Sequence, residues 1–114
     1  MTWDEILALE DRELDFAVDR HVFGGWRLYV PRYSSDIAAA WQVVERMRKR
    51  GLRPIIVSDW NEQWQCEVYR KSEWVAQSRW YNSAPRAICE AALLAVMGEA
   101  FEGREAIRRV EGDR

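Results

Sequence analysis

Residues 34–51 read SSDIAAAWQVVERMRKRG and carry the clearest helical pattern in the chain. Ser34 or Ser35 can cap this helix, and Gly51 ends it. Apolar residues recur at steps of three and four, so we expect one buried face made of Ile37, Ala40, Trp41, Val44 and Met47. Four cations are expected to complement the C-terminal end of the helix dipole, with a basic binding patch as the alternative: Arg46, Arg48, Lys49 and Arg50.

Three stretches with strand character follow the helix. The strands are expected at residues 53–58, 63–70 and 73–80, separated by turn-like residues at 59–62 and 71–72. Such short turns join neighbouring strands in opposite directions. The sequence therefore predicts an antiparallel meander.

A second helix is predicted after the strands. Pro85 follows Ser83 and suits the first helical position, where the missing amide donor costs nothing. Its apolar stripe is expected to consist of Ile88, Ala91, Ala92, Ala95 and Val96. These mostly small residues allow the helix to pack closely on a sheet.

The first 31 residues add helical structure and one strand candidate. Thr2 and Glu5 have the spacing of a capping box, and the charged residues 10–12 are a point where the helix can divide in two. The glycine pair at 24–25 ends the helix, and residues 26–30 read as a short strand.

The order of elements predicts an α+β domain in which helices pack on a mostly antiparallel sheet, resembling an α/β/α sandwich. We expect one domain at residues 1–97, with the core drawn from residues 37–96. Residues 98–114 are expected to form a charged tail or a short helix.

The chain has 17 basic and 19 acidic residues, a net charge of −2, which gives no general attraction to nucleic acid or to an anionic membrane. The charge is uneven, however. Residues 1–23 hold seven acids and two bases, whereas residues 24–97 hold seven acids and eleven bases. We therefore expect the first segment to lie against the basic middle of its own chain or of a partner.

Features of catalytic, metal and membrane proteins are absent from the sequence. His21 is the only histidine, and the carboxylates are scattered, so we expect no catalytic residues, no metal and no cofactor. Cys66 and Cys89 are expected to be reduced and to pack as small apolar residues. With no export signal and no apolar run of about 20 residues, a cytoplasmic protein is expected.

Two stretches resemble a known family: residues 33–45, YSSDIAAAWQVVE, and residues 84–93, APRAICEAAL. They are similar to the phage ABA sandwich domain, in which a tyrosine, serine and aspartate open an alanine-tryptophan helix and a proline-started helix ends the domain. The segment around Cys66 matches the cysteine-containing strand of that family. The resemblance implies a small protein of tailed phages or prophages with a helix-sheet-helix sandwich, and it transfers no activity.

Seven tryptophans are more than a small core can hide: Trp3, Trp26, Trp41, Trp60, Trp64, Trp74 and Trp80. Exposed aromatic residues often mark binding surfaces, and arginine forks suit phosphates. We predict a ligand-binding surface made of Trp60, Trp74, Arg79, Trp80, Tyr81, Asn82 and Arg86. The alternative for these aromatics is cross-strand packing or a homo-oligomer interface.

The leading hypothesis is a non-enzymatic phage or prophage accessory protein, a homo-oligomer, that sequesters a nucleotide immune signal or blocks a host defence protein. An alternative is a domain like the double-stranded-RNA-binding domains, which share the order helix, three strands, helix. Nucleic acid is disfavoured because such domains carry a lysine cluster where this chain has only Arg86. An enzyme with dispersed carboxylates, such as Asp36, Asp59 or Glu67, is a third alternative.

Overall fold

A computed structural model describes residues 1–25 and 27–97 of the chain. The tail expected at residues 98–114 and Trp26 lie outside the described residues. The described part forms one α+β domain, which confirms the predicted fold class. Its elements are α1 (Trp3–Leu7), α2 (Asp11–His21), α3 (Ile37–Lys49), β1 (Arg53–Ser58), β2 (Trp64–Arg70), β3 (Glu73–Gln77) and α4 (Ala84–Met97).

The sheet is the predicted antiparallel meander, in the order β1-β2-β3. Ile56 pairs with Cys66 and Val68 pairs with Ala76. The last three of these residues are fully buried. Since paired residues in adjacent strands share a face, this face of the sheet forms part of the core.

The central element of the core is α4, whose residues are buried without interruption from Pro85 to Ala95. It packs against all three strands and against α1, α2 and α3, while α3 also packs on β1. The alanines expected in the stripe of α4 are buried, as are Ile88 and Cys89. Small side chains let neighbouring elements approach a helix from several sides at once.

The buried face of α3 differs from the expected one. Ile37 and Trp41 are 57% and 52% exposed, so the prediction that they lie in the core is wrong. The buried residues are Ala39, Ala40, Val43, Val44 and Met47. The helix begins after Asp36, whose Oδ1 accepts a hydrogen bond from the backbone N–H of Ala38 at 3.0 Å. A stripe that begins at Ala39 presents the small alanines to the core and leaves the large indole outside.

The strand expected at residues 26–30 is absent from residues 27–30. Side chains of α2 bond to two polar groups of this backbone and to the Pro31 carbonyl, and residues 27–29 are exposed. Arg12 donates to the carbonyls of Val30 and Pro31 at 2.8 and 3.3 Å. The N–H of Arg27 donates to the Asp19 carboxylate at 3.5 Å. Because side chains supply these hydrogen bonds, the bonded backbone groups do not need a neighbouring strand as partner.

The third strand ends at Gln77, three residues before the expected end at residue 80. Ser78 still donates its N–H to the carbonyl of Cys66, but the N–H of Arg79 donates to the Glu90 carboxylate of α4 at 2.9 Å. A donor that bonds to a helix side chain cannot extend the ladder. Regular pairing with β2 therefore stops at this point, and one isolated bridge between Trp64 and Tyr81 follows.

The acidic first segment lies against the rest of its own chain, but among the described residues only two of its acids pair with bases of residues 24–97, Asp11 with Arg86 and Asp19 with Arg27. The Asp15 carboxylate accepts from the N–H of Ser34 at 2.7 Å, and the Asp19 carboxylate accepts from the Tyr33 hydroxyl at 3.1 Å. This segment also brings apolar residues into the core, so the prediction that the core comes from residues 37–96 alone is wrong. The added buried residues are Trp3, Ile6, Leu14, Val18, Val22, Val30 and Tyr33.

Local signals in the first segment are confirmed. Thr2 and Glu5 form the capping box of α1, and the helix divides before Asp11. The cations at the end of α3 were expected to complement the C-terminus of their own helix. Two of them also contact the C-terminus of α2. Arg46 and Arg50 donate to the carbonyl of Val22 at 3.3 and 2.9 Å.

Candidate functional site

The seven residues predicted to bind a ligand have two kinds of environment. Trp60 is 100% exposed and Trp80 is 41% exposed. Trp74 is half-buried at the edge of the core. The two arginines and Tyr81 belong instead to a network around Glu90, a residue that the sequence prediction did not include.

Glu90 is fully buried in the middle of the apolar helix α4. One carboxylate oxygen accepts from Arg79 Nη2 at 2.9 Å and from the Tyr81 hydroxyl. Arg86 Nη2 lies 3.9 Å from the same oxygen. A buried carboxylate requires such partners because its charge is otherwise strongly destabilising.

Both arginines of this network are held by further groups. Arg86 is 8% exposed, and it donates to the Asp11 carboxylate at 2.9 Å and to the Leu9 carbonyl at 2.6 Å. Arg79 donates to the Leu7 carbonyl at 2.7 Å. The network therefore joins α1 and the start of α2 to α4. These guanidinium groups are engaged in the folded chain, in contrast to the open phosphate-binding forks that the sequence suggested.

The ionisation of the network follows from its burial. Burial and the hydrogen bond to Glu90 raise the pKa of Tyr81. The hydrogen bond to Glu90 also raises the pKa of Arg79. Tyr81 and Arg79 are therefore kept protonated as hydrogen-bond donors. The guanidinium groups of Arg79 and Arg86 also lie over the Tyr81 ring, with their Cζ atoms 5.6 and 5.2 Å, respectively, from the ring centroid.

Trp60 lies on an ordered turn between β1 and β2. The Asp59 carboxylate accepts from the N–H groups of Asn61 and Gln63, each at 2.9 Å, and the N–H of Asp59 donates to the Gln63 carbonyl at 3.0 Å. Glu62 completes the turn at φ 58°. These bonds fix the backbone on both sides of Trp60, while its indole remains outside the fold.

Trp60 and Trp80 lie at the same end of the sheet. Ser58, at the end of β1, pairs with Trp64, and Trp64 pairs in turn with Tyr81. Two backbone hydrogen bonds of 2.6 and 2.9 Å join Trp64 and Tyr81. The turn that carries Trp60 directly follows Ser58, and Trp80 directly precedes Tyr81. Because Ser58, Trp64 and Tyr81 are aligned across the sheet, both tryptophans lie at this end of it.

A cleft of about 660 Å³ opens beside the network. Three predicted residues line it, Tyr81, Asn82 and Arg86, whereas Trp60, Trp74, Arg79 and Trp80 do not. The remaining lining residues were not predicted: Leu9, Glu10, Asp11, Arg12, Glu13, Ser34, Ser35 and Ser83. Many of them lie just before or at the start of a helix, and local capping patterns do not tell which helix ends meet in the fold.

The rim of the cleft is acidic. Arg12 is paired with Asp15 at 3.1 Å and Arg86 with Asp11 at 2.9 Å. Glu10 and Glu13 are exposed, and no ion pair joins either of them to a described residue. The cleft thus presents uncompensated negative charge, which disfavours a phosphate-bearing ligand.

Cys66, Cys89 and His21 carry side chains that act as nucleophiles or bases in many proteins. Cys66 and Cys89 are free thiols and fully buried. Burial and the neighbouring Glu67 raise the pKa of Cys66 to about 12, and burial raises the pKa of Cys89. Burial and the charge of Arg20 lower the pKa of His21, which ends α2. Neither thiol is activated as a nucleophile.

Among residues 1–25 and 27–97, no group of acidic, histidine and cysteine side chains is arranged to hold a metal ion. Within the same residues, no helix has the length and apolar character needed to cross a membrane.

Comparison with known proteins supports the resemblance seen in the two helical stretches. The family model of the Phage ABA sandwich domain matches residues 1–93. No curated protein and no solved structure matches the chain. The family is not a known enzyme family. The match covers α1 to α3, the whole sheet and most of α4. The chain therefore belongs to the Phage ABA sandwich domain family.

Proposed function

We propose that the chain is a non-enzymatic accessory protein of a phage or prophage that captures another protein in the bacterial cytoplasm. The observation that carries this proposal is Trp60, a fully exposed indole on a turn whose backbone is fixed by hydrogen bonds. A tryptophan of this kind offers a large contact area and loses little conformational freedom on binding. Family membership supports the phage context, and counter-defence by blocking a host defence protein is the role that we infer.

Trp80 extends the proposed binding surface. It is partly exposed at the same end of the sheet and is adjacent to Tyr81, which is anchored to Glu90. Two indoles held on a rigid end of the fold suit a partner surface with apolar pockets. Central aromatic anchors commonly contribute about 2 kcal/mol or more each to a protein interface.

The experiment compares capture by three tagged proteins from a lysate of a bacterial host: wild type, Trp60→Ala and Trp41→Ala. Trp41 is a matched control because it is also exposed, 52%, but lies on α3. We expect a specific protein to be retained by the wild type and by Trp41→Ala and lost with Trp60→Ala. Equal retention by all three proteins contradicts the proposal.

The nucleotide-sequestering alternative is supported by the size of the cleft, since about 660 Å³ lies within the range of small-molecule sites. The engaged arginines and the acidic rim oppose it. We expect cyclic nucleotides and ADP-ribose compounds to leave the thermal unfolding midpoint unchanged. A reproducible rise that Asn82→Ala abolishes favours the nucleotide alternative instead.

Binding to duplex RNA is supported by the arrangement of α3, the meander and α4, in which both helices pack on the sheet. Charge opposes it. Arg86, at the start of α4, is buried beneath Asp11, and exposed Glu10 and Glu13 line the adjacent cleft. We expect no gel shift with duplex RNA or DNA at low salt, where phosphate contacts are strongest.

A further inference from the structure

The described part of the chain has an acidic end. Five exposed acids lie on α1 and around the start of α2: Asp4, Glu5, Glu10, Asp11 and Glu13. Of these, Asp11 forms an ion pair with Arg86, and no ion pair joins the other four to a described residue. Glu10 and Glu13 line the concave surface of the cleft. We call these five residues the acidic end.

A basic end is formed by exposed cations at the end of α3, the start of β1 and the turn between β2 and β3: Arg48, Lys49, Arg50, Arg53 and Lys71. Arg50 donates to the carbonyls of His21 and Val22. No ion pair joins any of the five to a described residue. Gly51, which follows α3, has a φ of +79°, and no atom lies within 4 Å of the position its Cβ would take.

The two ends are separated along α2. This helix begins at Asp11 in the acidic end, and its last carbonyls contact Arg46 and Arg50 beside the basic end. An 11-residue helix is about 16 Å long. The acids and the cations therefore cannot pair within one chain, although a second copy can bring them together.

We propose that the protein self-associates head to tail, with the basic end of one copy seated on the acidic end and cleft of the next. The charges are complementary, since five exposed cations at one end match four exposed acids at the other that form no ion pair with a described residue. An interface between two different patches is heterologous, and its repetition gives rings or filaments rather than closed twofold dimers. Charge complementarity orients such contacts and makes them sensitive to salt.

The test measures the weight-average mass by light scattering at about 50 mM and about 500 mM salt, conditions that differ strongly in charge screening. We expect the wild-type mass to rise with concentration at low salt and to return to that of one chain at high salt. A wild type that remains monomeric at low salt overturns the proposal.

Charge exchange makes the test specific. Glu10→Lys/Glu13→Lys and Arg48→Glu/Lys49→Glu should each associate much more weakly alone, because the altered end then holds three acids beside two lysines, or three cations beside two glutamates. An equal mixture should associate more strongly than either variant alone, as one-to-one pairs, because the unaltered basic end of the first variant meets the unaltered acidic end of the second. Assembly of either variant alone to the wild-type mass, or a mixture no larger than the separate variants, overturns the proposal.

Two further variants control for folding and for non-specific charge. Glu10 donates its N–H to Glu13 Oε1 at 2.9 Å, so the lysine changes weaken a helix cap. Glu10→Gln/Glu13→Gln keeps an acceptor there and should weaken association by up to about tenfold, since exposed ion pairs contribute at most about 1 kcal/mol each. Ala38→Lys/Gln42→Lys adds charge on the exposed face of α3 and should assemble as the wild type does. An unchanged glutamine variant, or a monomeric Ala38→Lys/Gln42→Lys, overturns the proposal.

Discussion

Replacement of Glu90 by alanine tests whether the two arginines are structural groups rather than open ligand sites. The change leaves the N–H and the guanidinium of Arg79 without their buried acceptor. It also removes the acceptor of the Tyr81 hydroxyl and the ion pair with Arg86. Four polar contacts are thus lost at a fully buried position.

Removal of one partner from a buried ion pair costs about 3–5 kcal/mol. Here the lower end of that range applies. The side chain of Arg79 is half exposed and can be hydrated, and Arg86 keeps Asp11 and the Leu9 carbonyl as partners. We therefore expect Glu90→Ala to lower the free energy of unfolding by about 3 kcal/mol. Glu90→Gln, which retains one carbonyl acceptor, should lose less.

The assay is equilibrium unfolding in urea, followed by circular dichroism. With a typical slope of about 1–3 kcal/mol per molar urea, the midpoint should fall by about 1–3 M. Glu45→Ala is the control, since this exposed residue on α3 should change stability by no more than about 0.5 kcal/mol. If Glu90→Ala behaves like that control, the arginines do not depend on Glu90 and the case against an anionic ligand fails.

Three further predictions concern the core and its polar groups. Burial raises the pKa of Tyr33 to about 12, so the native state holds this proton more tightly than an unfolded tyrosine does, and stability should fall as pH rises from about 10 to about 12. Tyr33→Phe should reduce that dependence in unfolding experiments, and an identical pH profile contradicts the assignment. A disulfide reagent should leave Cys66 and Cys89 unmodified in the native protein and titrate two thiols in urea, whereas rapid native labelling contradicts their burial. Ile88→Ala should lower the free energy of unfolding by about 3 kcal/mol, while Trp41→Ala, at an exposed site, should change it by no more than about 0.5 kcal/mol. Similar losses for the two contradict the orientation of α3.

Local patterns in the sequence were sufficient for most of the fold. The capping box at Thr2, the turn residues between the strands and the proline in the first turn of α4 each depend on neighbours only a few residues away. The errors have a different origin. The face of α3 depends on which side α4 approaches, and the irregular path of residues 27–30 depends on Arg12 and Asp19.

The candidate site was predictable only in part for the same reason. Exposure of Trp60 follows from its place in a turn, and the sequence prediction included it. The environment of Arg86 depends on Asp11, 75 positions away in the chain, and on Glu90, which looked like an ordinary polar residue in an apolar helix. Pairings between distant charged residues carry no periodic signal, so only the folded chain reveals that these arginines are engaged.

The most direct test of a protein-capturing surface is the dissociation constant of the captured host protein for wild type and for Trp60→Ala, measured by isothermal titration. Removal of an anchor worth about 2 kcal/mol should weaken binding about 30-fold. The Trp41→Ala control should bind as the wild type does. Equal dissociation constants for wild type and Trp60→Ala would contradict the claim that this turn is the site of capture.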